Sequence, residues 1–133
     1  MNKVIILILS VFLISSCSDK FEPVGKWDDI IKLSTKSVEF DANKNSITVK
    51  TEGDWWWISS VSVNGESFLL PQDVNIESNS YIFKQDCFIV EKKDKNTLYI
   101  EIEKNQSNAE KKITVVLEAG DYFDRVSVTQ SAE

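Results

Sequence analysis

Thr97-Leu98-Tyr99-Ile100-Glu101-Ile102 (TLYIEI) alternates apolar and polar side chains without a break. Successive strand residues point to opposite faces. A period of two therefore puts Leu98, Ile100 and Ile102 on a buried face and Tyr99 and Glu101 on the other. The same reading extends in both directions from this strand. Downstream, Asn105–Glu110 is a polar connection, and Ile113, Val115 and Leu117 mark one face of a strand. Ala119-Gly120-Asp121 turns the chain, and Val126, Val128 and Gln130 share a face of the last strand. Upstream, Lys92–Asn96 (KKDKN) reads as a charged turn, Cys87–Glu91 as a strand and Tyr81–Phe83 as a short one. Gln72–Ser80 lacks any pattern and reads as a loop.

Further upstream, Asn64-Gly65 is the strongest hairpin signal, a type I′ pair, joining a strand over Trp55–Val63 to one over Glu66–Leu70. Ile47–Thr51 and Ser37–Phe40 alternate, with Ile47, Val49, Val38 and Phe40 inward, and Asp41–Asn45 and Gly53-Asp54 are turns. Trp27–Leu33 opens the domain as a short strand. Short strands at regular spacing, with no helical period, imply an all-β fold, an antiparallel β-sandwich of about 7–9 strands over residues 27–133. A one-residue slip of register would expose Leu98, Ile100 and Ile102, so each strand's phase is strongly specified.

Composition excludes several functions. The chain has 15 basic and 21 acidic residues, a single Arg and no His. An acidic chain is a poor nucleic-acid ligand, since phosphate contacts need a basic face. Without His there is no Ser-His-Asp triad, and the commonest zinc ligand is missing. There is no Gly-rich phosphate loop and no carboxylate pair singled out by an apolar setting, so neither an enzyme, a cofactor nor a metal is expected. Asp41, Asn43, Asn45 and Glu52 have the spacing of a calcium-binding EF-hand loop. Ser46 stands where that loop needs Gly, however, and Ile47–Thr51 reads as strand, which carries Glu52 away.

The first residues read as an address. Lys3 precedes a short apolar run, Val4–Ile14, well under the about 20 residues that span a bilayer. A signal peptide over residues 1–16 is expected. Leu13-Ile14-Ser15-Ser16-Cys17 resembles the bacterial lipobox, which implies lipidation of Cys17 and cleavage before it. Several acyl chains would anchor the protein stably in a membrane. Residues 1–16 carry only one charge, Lys3, so the remainder holds 14 basic against 21 acidic residues, a formal net charge of −7. Residues 17–26 form the lipidated Cys and a polar tether with Pro23 and Gly25. Asp19 and Glu22 resemble the export signals of some Bacteroidetes lipoproteins, which implies an outer-membrane location with exposure at the cell surface. With Cys17 as a thioether, Cys87 has no partner and reads as a small buried hydrophobe.

Five segments carry a resemblance: STKSVEF (Ser34–Phe40), the strand Ile47–Thr51, the Gly53-Asp54-Trp55 corner, LYIEIEKN (Leu98–Asn105) and RVSVTQ (Arg125–Gln130). Together they resemble the BACON domain, an immunoglobulin-like module of Bacteroidetes surface and secreted proteins. WDDIIKLS and WWWISSVSVNG also look like small Bacteroides lipoproteins built on that domain alone. The likeness covers roughly residues 30–131. Lys111 or Lys112 stands where the family has Arg, and Phe68–Val90 is longer than the family pattern. The resemblance implies carbohydrate or mucin binding, or spacing of other domains from the cell.

Carbohydrate sites use flat aromatic faces flanked by amides and carboxylates, and Trp55-Trp56-Trp57 supplies the aromatic area. Period two sends Trp55 and Trp57 together, and a buried Trp is a usual centre of an immunoglobulin-like core. Trp55 and Trp57 are therefore the expected core aromatics, and Trp56 is the expected ligand-binding one. Tyr122 and Phe123, after the Gly120-Asp121 turn, are further ligand-binding candidates as exposed aromatics at a hairpin tip. Two partner readings stay open: a glycan or mucin, and an outer-membrane protein engaged through a sheet edge or hairpin tip.

Overall fold

The structure, a computed structural model, describes residues 27–133. The signal peptide expected over 1–16, the lipidated Cys17 and the tether over 17–26 lie outside the described residues. Nine strands follow in chain order: β1 (Ser37–Phe40), β2 (Asn45–Lys50), β3 (Trp57–Val63), β4 (Glu66–Leu69), β5 (Tyr81–Gln85), β6 (Phe88–Asp94), β7 (Thr97–Ile102), β8 (Lys111–Ala119) and β9 (Tyr122–Gln130). They form two sheets, one ordered β1-β9-β8-β3-β4 and the other β2-β7-β6-β5. This is the β-sandwich expected from the alternation, in the immunoglobulin-like form that the resemblance implies.

The facing sides of the sheets make one core. From β7 it takes Leu98, Ile100 and Ile102, and from β8 Ile113, Val115 and Leu117. Val126 and Val128 of β9 and Val49 of β2 complete the phase read from the sequence. Asn64 and Gly65 both adopt positive φ, 48° and 85°, as a type I′ turn requires. The side-chain amide nitrogens of both polar residues buried at the sandwich end are bonded, while Gln130 Oε1 finds no partner among the described residues. Asn105 Nδ2 donates to the carbonyls of Ala109 and Ser131, at 2.8 and 3.0 Å, and Gln130 Nε2 donates to those of Asn43 and Glu103, at 3.1 and 3.0 Å.

Three features depart from the expected pattern. The β1 strand pairs with β9 in parallel, so the sandwich is mixed and not wholly antiparallel. The short Asp41–Lys44 connection carries the chain from one sheet straight to the other, and β1 is left to pair with the distant C-terminal strand. Residues 27–33 form no strand. Lys32 sits at φ 52°, its amide donates to Asp29 Oδ1 at 2.7 Å, and only Leu33 bridges to Thr51. Ile31 nevertheless plugs into the core, and the backbone crosses tightly over Gly53, where a Cβ would collide with the Ile30 carbonyl oxygen. Finally, β6 runs on through Asp94, so Lys92 and Lys93 are strand and not turn.

Candidate functional site

The site is built where β3 begins. Cross-strand register pairs Ile58 with Leu117 and then Ser60 with Val116, leaving Ser59 as an extra residue. This bulge resets the phase of the strand. Val61 therefore points inward with Ile58 and Trp56, while Trp57 points outward with Trp55. The sequence reading counted through the strand without the bulge and reversed the faces. The correction is complete: Trp56 is core, at 1 % exposure, and Trp55 is exposed, at 64 %. Trp56 is also chemically satisfied inside, its Nε1 donating to Thr51 Oγ1 at 3.1 Å and to the Lys95 carbonyl at 2.8 Å. Trp57 is half-buried on the outer surface and not a core residue.

Trp55 and Trp57 stand edge to face with ring centroids 5.5 Å apart, an arrangement favoured by the ring quadrupoles. Trp57 Nε1 donates to Glu118 Oε2 at 3.1 Å, which fixes the indole. Register places Trp57 opposite Glu118 and Glu118 opposite Phe123. The three form a row across β3, β8 and β9, with about 10 Å between its ends at the usual strand spacing. Phe123 is 56 % exposed. Trp55 lies against the β8–β9 turn, its Cη2 and Cζ3 atoms 3.4 Å from where a Cβ on Gly120 would stand.

Tyr122 does not join this surface. It leads β9 on the inward side, half-buried and packed against the core, with its hydroxyl donating to Asp124 Oδ2 at 3.3 Å. Lys36 Nζ bridges Asp124 Oδ2, at 2.6 Å, and Asp29 Oδ2, at 3.1 Å. Its hydrogen bonds to Asp124 and then Asp29 hold the ammonium pKa well above the ordinary lysine value. Burial, then contact with Asp29, pushes the Tyr122 phenol up to about 12. This polar cluster secures the N-terminal segment to the sandwich and corrects the expectation that Tyr122 is an exposed aromatic at the hairpin tip.

Two clefts flank Trp57. The first, about 380 Å³, runs between Trp55, Trp57 and the β4–β5 loop residues Ile76, Glu77 and Asn79. The second, about 400 Å³, continues past Trp57 and Ile76 to Gln72 and Leu69, with Glu118 on its wall. The loop that makes the outer wall lies within Phe68–Val90, the segment longer than the BACON pattern. Amides and carboxylates therefore surround an aromatic wall. Sequence reasoning missed Ile76, Glu77, Asn79 and Glu118, because a loop without periodicity gives no sign of what it packs beside.

Lys92 was missed for another reason. It continues the inward phase of Phe88 and Val90, and is buried at 3 % exposure. Its Nζ donates to the Trp56 carbonyl at 2.6 Å and lies 4.7 Å from the Trp56 ring centroid. Burial lowers its pKa. Extending the alternation by one step would have found it.

Among the described residues no group of three His, Cys, Asp or Glu side chains is placed to hold an ion. Asp41 Oδ1 accepts from the Asn43 amide and from Asn45 Nδ2, at 2.9 and 2.7 Å, closing a local turn. Cys87 is a free, half-buried thiol packed against the core.

Fold and site together define an immunoglobulin-like β-sandwich module with an outward aromatic groove. A solved structure described as the NMR structure of the protein from Bacteroides thetaiotaomicron is similar to it, with TM-score 0.64 and 25% identity over 80% of this chain and 90% of that one. That structural homology agrees with the BACON-like fold expected from the sequence. Titin domain M7 superposes with TM-score 0.44 and 10% identity, over 77% of this chain and 95% of its own, and is too distant to bear on function. No protein-family model matches the chain, and no curated protein matches it.

Proposed function

We propose that this chain is a lipid-anchored, non-catalytic module of the outer membrane that binds carbohydrate or mucin at the cell surface. The observation that carries the reading is the pair Trp55 and Trp57, turned outward by the β3 bulge and lining a groove with Glu77, Asn79, Gln72 and Glu118. Aromatic faces cover the C–H surface of a sugar ring, and neighbouring amides and carboxylates take its hydroxyls. The groove is open and lined on both sides of Trp57, which suits consecutive units of a chain. Cys17 and the tether over 17–26 would hold the domain near the membrane while the groove faces outward.

The test uses a soluble fragment, Ser18–Glu133, which retains the entire core from Ile31 to Val128. Its binding to a broad panel of mucins and of plant and host polysaccharides is measured beside Trp55→Ala and Trp57→Ala. Saturable binding that both folded variants lose is the expected result. Absence of binding across the panel would remove the reading. A second reading, docking on an outer-membrane protein, is favoured by one feature: among the described residues β5 closes its sheet with an unpaired edge, and it exposes Ile82. Unpaired edges accept an added strand.

A further inference from the structure

Lys92 is the one buried charge in the sandwich among the described residues, and nothing in the fold neutralises it. No carboxylate there lies within ion-pair reach of its Nζ. An ammonium offers three donors, and only one hydrogen bond is made, to the Trp56 carbonyl at 2.6 Å. A carbonyl and the Trp56 ring face partly solvate the ammonium, but a buried charge without a counter-anion is costly, and an apolar residue of similar volume would serve the core at least as well. The β6 alternation calls for such a residue at this position, after Phe88 and Val90.

The position of the charge matters as much as its isolation. Lys92 and Trp56 are the buried members of the first cleft's lining, so they form its floor. Asp54, Glu77 and Asn79 are exposed and form its rim, with Trp55 and Trp57 as walls. A cation at the base of an aromatic slot is placed to meet an anionic group entering from above, where the low local dielectric strengthens the pair. The rim carboxylates suit hydroxyls and disfavour a dense run of anions. A single acidic substituent in an otherwise neutral glycan fits both.

We infer that the first cleft selects glycans bearing an isolated carboxylate or sulfate, with the anion paired to Lys92 Nζ and the sugar ring laid against the wall that Trp55 and Trp57 form together. The inference rests on the glycan-binding reading and narrows it to a ligand class. Loss of a charge-assisted hydrogen bond of this kind corresponds to about tenfold or more in affinity.

The experiment compares matched pairs on the Ser18–Glu133 fragment by titration calorimetry. The pairs are sialyllactose against lactose, 6-sulfolactose against lactose, and glucuronoxylan against its carboxyl-reduced form. At least one acidic member should bind about tenfold tighter than its neutral partner, and the sialyl and sulfo arms tell which anion is preferred. Lys92→Met should remove that preference, so that the acidic and neutral members of each pair bind alike, while the circular dichroism spectrum remains that of the folded sandwich. Equal affinity within every pair overturns the inference and leaves the glycan reading standing. No binding by any member, together with none across the wider panel, overturns both. The wild-type comparison needs no variant, so a Lys92→Met protein that failed to fold would not rescue the inference. A folded Lys92→Met that kept the acid preference would also refute it.

Discussion

Replacing Trp56 by Ala should come close to unfolding the domain, whereas the same change at Trp55 should hardly be felt. Trp56 is fully buried between the sheets, and truncation of such a side chain costs about 3–5 kcal/mol through lost transfer energy and the cavity left behind. Its Nε1 also supplies the Lys95 carbonyl and Thr51 Oγ1. Stranding the carbonyl adds about 1 kcal/mol. Lys92 would lose the ring beneath it as well. The sum, about 4–6 kcal/mol, is a large part of the 5–15 kcal/mol typical of a domain, and lowers Tm by roughly 20 °C or more. Trp55 projects into solvent and touches mainly Trp57 and the β8–β9 turn. Its removal should change stability by no more than about 0.5 kcal/mol. Urea titrations followed by far-ultraviolet circular dichroism measure both. A Trp56→Ala protein as stable as the wild type, or a Trp55→Ala protein as damaged as Trp56→Ala should be, would refute the assignment of faces and the bulge on which it rests.

Two further outcomes follow from the N-terminal end. Gly53→Ala forces a Cβ against the Ile30 carbonyl and should cost about 1–3 kcal/mol, with faster hydrogen exchange at the Gly53 and Glu52 amides that bond Ile31 and Lys32. In an alkaline titration read at the tyrosinate absorbance, Tyr122 should ionise near 12. Its folded pKa lies above the value of about 10 for an unfolded chain, so its stabilisation is complete below that value and is lost as pH rises toward 12. Tyr122→Phe should reduce the amplitude of the late ionisation by one tyrosine, leaving the contribution of Tyr81, whose phenol burial also raises. A normal tyrosinate curve in the folded wild type would contradict the cluster with Asp29 and Asp124.

Much of the fold was legible because its strands are amphipathic. β2, β7, β8 and β9 each place apolar residues at alternate positions along the buried face, and each lies in the phase the pattern demands. The Asn64-Gly65 turn is equally local, since both residues need positive φ. What was not legible depends on partners distant in the chain. The parallel pairing of β1 with β9 leaves no local mark. The bulge at Ser59 depends on how β3 meets β8, yet that one residue decides which tryptophans face solvent. Within Trp55-Trp56-Trp57 composition cannot break the tie, because all three side chains are alike. The phase must be inherited from Ile58 and Val61, which have opposite parity. The groove was hidden for a related reason: its outer wall is an aperiodic loop, and its floor is a lysine standing where the alternation expects an apolar side chain.

The most direct test of the glycan-binding account uses the indole N–H signals of the four tryptophans in a ¹⁵N–¹H spectrum of the soluble fragment. Titration with a polysaccharide that binds should shift the Trp55 and Trp57 indole signals together, in a saturable manner, and leave Trp27 in place. Trp56, bonded to the Lys95 carbonyl beneath the groove, should move less than either. Saturable binding that leaves the Trp55 and Trp57 signals unmoved would show that the ligand sits elsewhere, and would contradict the account at its centre.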